Sequence, residues 1–522
     1  MSIFKKITHS DAITEQAYFD ALYSSVHVNG LMICLGQLLQ RAFHLFPDNI
    51  ALIATNASVT YKELYYRASL LSRVLINKGV KPHDRVLLFF ENSVEFYVGY
   101  FAIAQAGAVV APLNTFLHET ELRHIVSDAQ PVAVVAHSSH TALFNAVGVS
   151  LDMLVTECDM DMSSEVPVTL EQQDIVVLPP HDMAALLYTS GTTGLPKGVM
   201  LSSRNILTNA IQGLARSRLT ENERVFGVLP LFHSFSQNVC VWAGMLSGFS
   251  VILVPKIDRR YIMAALKFQP TLFVGVPALY GLLCLIKTAD FSQVKYFVSG
   301  GDTLPDKIRM YFELLYRRKI CNGYGLTEAS PFVSVDLEDV TEPTSCVGAP
   351  LIGIEAAIFD EYNNPMSQGS IGHLVLKGDN VMMGYYNCPD MTAAAVKDNW
   401  LYTGDLAYLD DGGKIVITGR IKDLIIHKGF NIYPAEIENI VLSHPNVIRV
   451  AVVGKVDEEF GEVPVAFVQI RAEQQGIEKE LKALCSKHLA SYKVPKDFIV
   501  SSNELPTTAT GKVDKKILRK KL

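Results

Sequence analysis

Short apolar runs that alternate with helix-like segments restrict this chain to an α/β architecture. The runs RVLLFF, AVVAPL and PVAVVA are apolar almost throughout, as expected of strands buried on both faces of a sheet. Between the first two, the segment SVEFYVGYFAIAQAG is typical of a buried helix that ends at Gly107. The alternation continues to about residue 320 and predicts layers of largely parallel sheet covered by helices.

A second pattern begins near residue 346. Segment 346–420 has short strands and frequent turns, which predicts a small β-rich unit attached to the α/β layers. The tail, 421–522, contains two helical and two strand-like segments and predicts a small α+β domain. Because 522 residues are too many for one hydrophobic core, we expect a large domain 1–420 and a small domain 421–522. The first 45 residues are expected to be irregular.

Composition excludes several classes of protein. The chain is 49% apolar and 19% charged, which fits a globular enzyme, and its net charge of −7 gives no attraction to nucleic acid. The eight cysteines are scattered without a CxxC pair, which predicts neither a zinc site nor a disulfide framework and favours a cytoplasmic location. No signal peptide is expected, and segment 239–254, broken by Gly and Ser, is expected to be a buried helix and strand rather than a membrane span.

The segment LLYTSGTTGLPKGVMLSSRN, residues 186–205, places hydroxyl side chains, glycines and Lys197 in one loop. Glycines let backbone N–H groups converge on an anion, and hydroxyls add donors, so this composition is typical of a phosphate-binding loop. A Walker loop has its lysine directly after the second glycine and leads into a helix. Here Lys197 follows Pro196 and precedes a strand-like run, which disfavours a P-loop kinase or ATPase.

Five motifs, in the same order along the chain, resemble the signatures of the adenylate-forming superfamily. They are YTSGTTGLPKG, NGYGLTEASP, LYTGDLAYLDDGG, GRIKDLIIHKGFNIYPAEIE and LPTTATGKVDKK. The superfamily includes acyl-CoA synthetases, peptide-synthetase adenylation domains and firefly luciferase, and the chain particularly resembles fatty acyl-CoA synthetases and 4-coumarate-CoA-ligase-like enzymes. The resemblance implies a large N-terminal adenylation domain and a small, mobile C-terminal lid, with the hinge near Lys422.

The resemblance also implies an ATP-dependent acid–thiol ligase. A carboxylate is a poor acylating agent, because its charge repels nucleophiles and oxide is a poor leaving group. Attack of the carboxylate on the α-phosphate of ATP gives an acyl-adenylate and pyrophosphate, and AMP then leaves readily when a thiol attacks. Bringing two anions together needs positive charge and a metal ion. ATP, Mg²⁺ and CoA are therefore the expected ligands.

Each motif residue has a role that the resemblance implies. Thr189 and Glu328 would hold Mg²⁺, since hard oxygen ligands suit this ion. Asp405 would accept both ribose hydroxyls, and Arg420 would bind ribose or phosphate. Tyr324 and the SGGD turn, Ser299 to Asp302, would line the adenine. Lys512 would bridge the acid and the α-phosphate during adenylation, and His233 is the further catalytic candidate. The nucleotide-binding set is expected to comprise Thr189, Ser190, Gly191, Thr192, Thr193, Gly194, Lys197, Gly300, Gly301, Asp302 (where relatives usually have Ala or Ser), Asn322, Gly323, Tyr324, Gly325, Thr327, Asp405, Arg420 and Lys512.

The substrate is expected to be an acid without an amino group. The segment LPLFHSFSQNVC has no acidic residue to pair with a substrate ammonium, and burying an unpaired ammonium is unfavourable. Gly325 stands where acetate-type enzymes carry Trp, so the pocket is expected to admit longer acids. A medium- or long-chain fatty acid is the first expectation, and an aryl-propenoic acid is the second. The expected lining is His233, Phe235, Val239, Val276, Gly325 and Val333.

The second half-reaction needs a thiol, and HKGFNIYPAEIE resembles the CoA-dependent members. Gly429 is expected beside the pantetheine chain, with Lys428 and Phe430 near the CoA nucleotide. An acyl carrier protein is the alternative acceptor; a luciferase-like oxygenase and a non-catalytic relative are alternatives of other classes. Peripheral membrane contact and either a monomer or a homodimer are compatible with the sequence. The basic end, residues 519–521, is expected to be solvated, with a patch for an anionic partner as the weaker alternative.

Overall fold

The computed structural model describes residues 13–55, 57–160, 175–190, 196–286, 289–337, 345–428, 430–457, 460–507 and 513–522. Within these ranges, one sheet has eight strands, parallel at its centre and antiparallel at both edges. Its strands lie in the spatial order Phe332–Val335, Ile320–Gly325, Tyr296–Ser299, Leu272–Gly275, Arg224–Gly227, Ser250–Leu253, Ile50–Ile53 and Ser58–Thr60.

A second sheet has seven strands in the described ranges, and it carries the glycine- and hydroxyl-rich motif at its antiparallel end. Its buried parallel strands include the three apolar runs RVLLFF, AVVAPL and PVAVVA, as the sequence predicts. The spatial order is Gly384–Tyr385, Pro196–Ser202, Met183–Ser190, Val109–Pro112, Arg85–Phe89, Ala133–Ala136 and Leu154–Val155.

Helices cover these sheets because their apolar faces pack on the strands. The helix predicted before Gly107 spans Val94–Gln105, and Gly107 has a φ of 73° that favours glycine. The main helices of the large domain are Glu15–Ser25, Leu35–Leu45, Tyr61–Asn77, Val94–Gln105, Glu119–Ala129, Thr141–Ala146, Ser203–Ser217, Ala243–Ser247, Arg259–Leu266, Pro277–Leu283 and Asp306–Tyr316.

The first 45 residues contain two helices, so the expectation of an irregular segment is wrong for their described part. Thr14 caps the first helix by accepting a hydrogen bond from Ala17 N at 3.2 Å. Tyr18 and Leu22 lie on the buried face of this helix, and Tyr18 Oη donates to Leu219 O at 2.8 Å. The segment is ordered by these long-range contacts with the large domain.

The β-rich unit predicted at 346–420 is an antiparallel sheet whose longest strand, Trp400–Leu409, pairs with its neighbours on both sides. Strands Glu355–Phe359, Gly372–Lys377 and Val396–Lys397 complete it, together with Ile415–Arg420. The helix Pro389–Ala395 precedes its short edge strand.

The C-terminal unit has its own sheet and its own apolar clusters, as an α+β unit requires. Its strands lie in the order Phe430–Ile432, Ile425–His427, Gly461–Ile470 and Val447–Asp457, with Asp497–Ser501 parallel to Gly461–Ile470. Its helices are Pro434–Leu442, Ile477–His488 and Lys515–Arg519. The fold class is as predicted, whereas the domain boundary near residue 421 stays a prediction.

Segment 239–254 is a buried helical stretch followed by the strand Ser250–Leu253, as predicted. Among the described residues, no helix combines the length and apolarity needed to cross a bilayer. All eight cysteines lie within the described ranges, and none of them forms a disulfide.

Candidate active site

The phosphate-loop motif lies on two antiparallel strands. Strand Met183–Ser190 pairs with Pro196–Ser202 so that Thr189 lies opposite Lys197. This pairing brings a hydroxyl and an ammonium to the same end of the sheet, which is the arrangement that an anionic phosphate needs. The five motif residues between these strands, 191–195, lie outside the described residues, and the roles expected for Gly191, Thr192, Thr193 and Gly194 stay predictions.

Glu328 is connected to this end of the hairpin by Tyr385, a residue that lies outside the sequence motifs. Tyr385 Oη donates a hydrogen bond of 2.8 Å to Glu328 Oε1, and the Tyr385 ring lies 5.5 Å from Lys197 Nζ. Burial, and then the charge of Glu328, raise the pKa of the Tyr385 phenol above its usual range. Tyr385 therefore stays a neutral hydrogen-bond donor that connects two predicted phosphate- and metal-binding side chains.

Asp405, whose carboxylate is predicted to bind ribose, also has a tyrosine as its partner. Tyr324 Oη donates to Asp405 Oδ2 at 2.6 Å, and Arg420 Nε lies 3.3 Å from Asp405 Oδ1. Asp405 and Arg420 also pair directly across two antiparallel strands. Burial, and then the Asp405 charge, raise the pKa of the Tyr324 phenol well above its usual range. The structure thus brings all three residues together at one edge of the β-rich sheet.

The SGGD turn and the start of the NGYG motif lie at the carboxyl ends of neighbouring parallel strands, where Ser299 is opposite Asn322. Ligands of open α/β sheets commonly bind at this edge. Gly301 has a φ of 82°, which favours glycine. Asp302 is exposed and accepts a hydrogen bond of 2.9 Å from Thr303 N, so its carboxylate supports its own turn.

The predicted acyl lining adjoins this turn. A Cβ on Gly300 would lie 3.3 Å from Phe235 Cε1, and one on Gly301 would lie 3.7 Å from Val276 Cγ1. Val239 and Val333 are buried, whereas His233 is exposed, and the roles of these three residues in the lining stay predictions. The lining therefore borders the turn that is expected to contact adenine.

Gly325 lies against the backbone of the strand that follows it. A Cβ at this position would lie 2.1 Å from Pro331 O, and Leu326 N donates to that same carbonyl at 3.0 Å. The missing side chain therefore makes room for the backbone of the following strand. Gly325 is not among the residues with positive φ, so the reason for glycine here is steric. The prediction that Gly325 also lets the pocket admit longer acids stays a prediction.

The predicted CoA contacts lie on a hairpin of the C-terminal unit. His427 pairs with Phe430, and Lys428 Nζ lies 4.0 Å from the centroid of the Phe460 ring. Phe430 is 58% exposed, which leaves its ring accessible to a ligand. Gly429 and Lys512 lie outside the described residues, and their roles stay predictions.

The predicted hinge is anchored by the basic end of the chain. Lys422 belongs to the 3₁₀ turn Ile421–Asp423, which leads from the β-rich sheet to the C-terminal sheet. Arg519 Nη2 donates to Asp423 Oδ1 at 2.8 Å and to Lys422 O at 3.3 Å. Arg519 is therefore paired rather than simply solvated, which corrects the expectation for this residue.

Oxygen ligands fit a magnesium ion at Glu328. Within the described part of the chain, Glu328 Oε2 accepts no hydrogen bond, while Oε1 is held by Tyr385. No group of three or more His, Cys, Asp and Glu side chains among the described residues could hold a metal ion by itself. Mg²⁺ is commonly bound by one or two protein carboxylates together with substrate phosphates, so the second oxygen of Glu328 fits its predicted role, which stays a prediction.

Two protein-family models and several known proteins match this chain. The model described as AMP-binding enzyme matches residues 39–386, and that described as AMP-binding enzyme C-terminal domain matches residues 436–512. A long-chain-fatty-acid–CoA ligase of Bacillus subtilis (strain 168) is 32% identical over 518 residues, covering 91% of this chain and 92% of the relative. A feruloyl-CoA synthase of Amycolatopsis sp is 33% identical over 493 residues, covering 93% of this chain and 99% of the relative.

The solved structures include o-succinylbenzoate coenzyme A synthetase (MenE) from Bacillus subtilis in complex with ATP and magnesium ion. It matches with a TM-score of 0.83 and 27% identity, over 93% of this chain and 99% of that chain. Its backbone therefore follows the same course through both the large and the small unit.

The layered sheets, the small C-terminal unit and the ordered motifs together define an adenylate-forming enzyme. The chain belongs to the family of AMP-binding enzymes, since the family model and both relatives cover most of its length. The assignment to the AMP-forming acyl-CoA synthetases, which join an acid to CoA through acyl-AMP, is confirmed.

Proposed function

We propose that the acid is a medium- or long-chain fatty acid and that CoA is the physiological acceptor. The observation that carries this proposal is the contact between the apolar residues Phe235 and Val276 and the Gly300–Gly301 turn. An acid whose carboxylate reaches the α-phosphate of a nucleotide at this turn would meet an apolar wall next to it. Each methylene buried there stabilises the complex by about 0.8 kcal/mol.

The wall is held in place by a buried amide. Asn209 Nδ2 donates to Phe332 O at 2.7 Å, and Asn209 Oδ1 accepts from Phe332 N at 2.9 Å. The Phe332 ring packs edge-on against the Phe235 ring, with centroids 5.4 Å apart. A rigid apolar surface loses less free energy on ligand binding than one that must first become ordered. No sequence signal marks Asn209 for this role, because its contact depends on a strand more than a hundred residues away.

In the first half-reaction, the acid's carboxylate attacks the α-phosphorus of ATP, the bond to the bridging oxygen breaks, and pyrophosphate leaves. Lys197 and Thr189 bind the β- and γ-phosphates, and Asp405 orients the ribose. Lys512 places its ammonium between the two reacting anions and offsets the charge that grows in the transition state. Mg²⁺, held by Glu328 and Thr189, supplies further neutralisation of the phosphate charge when bound.

In the second half-reaction, the CoA thiol loses its proton, its sulfur attacks the acyl carbon, and AMP leaves as the thioester forms. Lys428 and Phe430 border the CoA path on the C-terminal unit, with the pantetheine chain beside Gly429. Rotation about Lys422 would replace Lys512 by this hairpin at the same acyl-AMP. One pocket then serves both steps.

The substrate class is tested with a panel of acids. The purified protein is incubated with ATP, Mg²⁺ and CoA, and AMP release is measured for straight-chain acids from two to eighteen carbons and for ferulate and 4-coumarate. We expect kcat/KM to rise a few-fold per carbon up to a plateau at eight carbons or more. A profile without length dependence, or a preference for the aryl acids, would contradict the fatty-acid assignment.

The acceptor is tested in the same assay by replacing CoA with a phosphopantetheinylated acyl carrier protein. We expect thioester formation with CoA and at least tenfold slower loading of the carrier protein. Preferential loading of the carrier protein would favour the alternative acceptor.

A further inference from the structure

Tyr385 is held at a point where three elements of the site meet. Its short strand Gly384–Tyr385 pairs with the strand that carries Lys197, and Tyr385 lies opposite Val199. On the other side, Met382 N donates to Glu328 O at 2.9 Å. The same short segment is therefore bound to both the phosphate-loop hairpin and the motif that carries Glu328.

The backbone of this tyrosine is fixed independently of its side chain. Tyr385 N donates to Thr392 Oγ1 at 2.8 Å, and Tyr386 N donates to Gly198 O at 2.8 Å. Gly384 has a φ of 141°, and a Cβ there would lie 2.6 Å from Thr392 Cγ2. Removing the hydroxyl or the ring should therefore leave the strand in place.

Its side chain contacts two charges of opposite sign. The hydroxyl donates to Glu328 Oε1 at 2.8 Å, and the ring faces Lys197 Nζ at 5.5 Å. Within the described residues, Lys197 forms no ion pair, so its ammonium stays available to an anion. A hydrogen bond to one carboxylate oxygen fixes the rotamer of Glu328 and directs the other oxygen, as outer partners do for metal ligands.

We propose that Tyr385 is a positioning residue: its hydroxyl orients the metal-binding carboxylate of Glu328, and its ring places the ammonium of Lys197 for the ATP phosphates. This inference rests on the proposed function, in which Glu328 holds Mg²⁺. It assigns the two effects to separate parts of one side chain. Tyr385→Phe removes the first effect and keeps the second, whereas Tyr385→Leu removes both.

The test measures ATP binding by calorimetry, without acid and so without turnover, in the presence and absence of Mn²⁺. The ratio of the two affinities reports the metal site, and AMP binding without metal reports the nucleoside site. For Tyr385→Phe we expect the Mn²⁺-dependent ratio to fall about tenfold, as for other outer partners of metal ligands, while AMP affinity changes less than about twofold. For Tyr385→Leu we also expect weaker ATP binding without metal.

Tyr18→Phe is the matched control, since it also removes a buried hydroxyl bond but lies on the first helix. It should keep both affinities. An unchanged or increased ratio in Tyr385→Phe, together with a reduced ratio in Glu328→Gln, would overturn the role of Tyr385 and leave the proposed function intact. An unchanged ratio in Glu328→Gln itself would remove Glu328 from the metal site, and both would fail.

Discussion

Tyr324 holds the carboxylate of Asp405 through a hydrogen bond of 2.6 Å. The sequence motifs predict both residues at the nucleotide but with separate roles, Tyr324 at adenine and Asp405 at ribose. Their contact makes Tyr324 a partner of Asp405, the residue predicted to bind ribose. Residue Asp405 is only 8% exposed, and its carboxylate also faces Arg420. These contacts set the orientation of the carboxylate before any ligand binds.

Tyr324→Phe should therefore weaken the recognition of ribose hydroxyls. The variant keeps the ring but leaves Asp405 without its phenol donor, and a lost hydrogen bond to a charged group is worth about 1.5–3 kcal/mol. We expect the preference of the enzyme for ATP over 2′-deoxy-ATP to fall roughly tenfold, measured as a ratio of kcat/KM. An unaltered preference in Tyr324→Phe would show that Asp405 does not need this partner.

Gly325→Ala should damage the enzyme regardless of the acid. Its Cβ would overlap Pro331 O, so the strand must shift, at a cost of about 1–3 kcal/mol in the free energy of unfolding. Denaturant unfolding and activity on butyrate and on a long-chain acid measure the effect. Gly281→Ala is the control, because its Cβ would meet Ile308 at an ordinary 3.6 Å within a helix. Selective loss of long-chain activity with normal stability would instead support the prediction that Gly325 lets the pocket admit longer acids.

Lys512→Ala should block the first half-reaction and spare the second. The deleted ammonium is assigned only to the adenylation transition state, so we expect a loss of about 10²–10³-fold in pyrophosphate exchange. Thioester formation from ready-made acyl-adenylate and CoA should persist. Lys520→Ala removes an exposed lysine of the same C-terminal segment and should leave both reactions near normal. Equal losses in both half-reactions of Lys512→Ala would contradict the assignment.

Gly429→Leu should have the opposite effect. A side chain beside the pantetheine path would obstruct the thiol while leaving the nucleotide and acid sites untouched. Pyrophosphate exchange should stay largely intact, and CoA acylation should be abolished. If thioester formation proceeds at a near-normal rate, the CoA path does not pass this residue.

The alternation of apolar runs and helical segments predicted the fold class, and the five motifs predicted the family because their matches occur in the same order. They could not predict the tyrosine contacts. Tyr385 reaches Glu328 only because its strand adds to the edge of the phosphate-loop hairpin, a pairing between segments far apart in sequence. The clash that a Cβ at Gly325 would make likewise depends on where the following strand lies, which the motif itself does not specify.

The helix at Glu15–Ser25 was predictable, in contrast, from local signals. Thr14 before an acidic first turn is a typical helix start, and Tyr18 and Leu22 have helical spacing. Arg519 lies in a run of basic residues that resembles a solvated end, and only the tertiary contact with Asp423 distinguishes it from its neighbours.

Acid-dependent exchange of labelled pyrophosphate into ATP, measured without CoA, tests the central claim most directly. The reaction reports reversible formation of acyl-AMP alone, before any thiol is involved. We predict exchange that requires a fatty acid and a divalent cation and that falls at least about a hundredfold in Lys512→Ala. Exchange that proceeds without acid, or none with any carboxylic acid while the folded protein still binds ATP, would contradict the account.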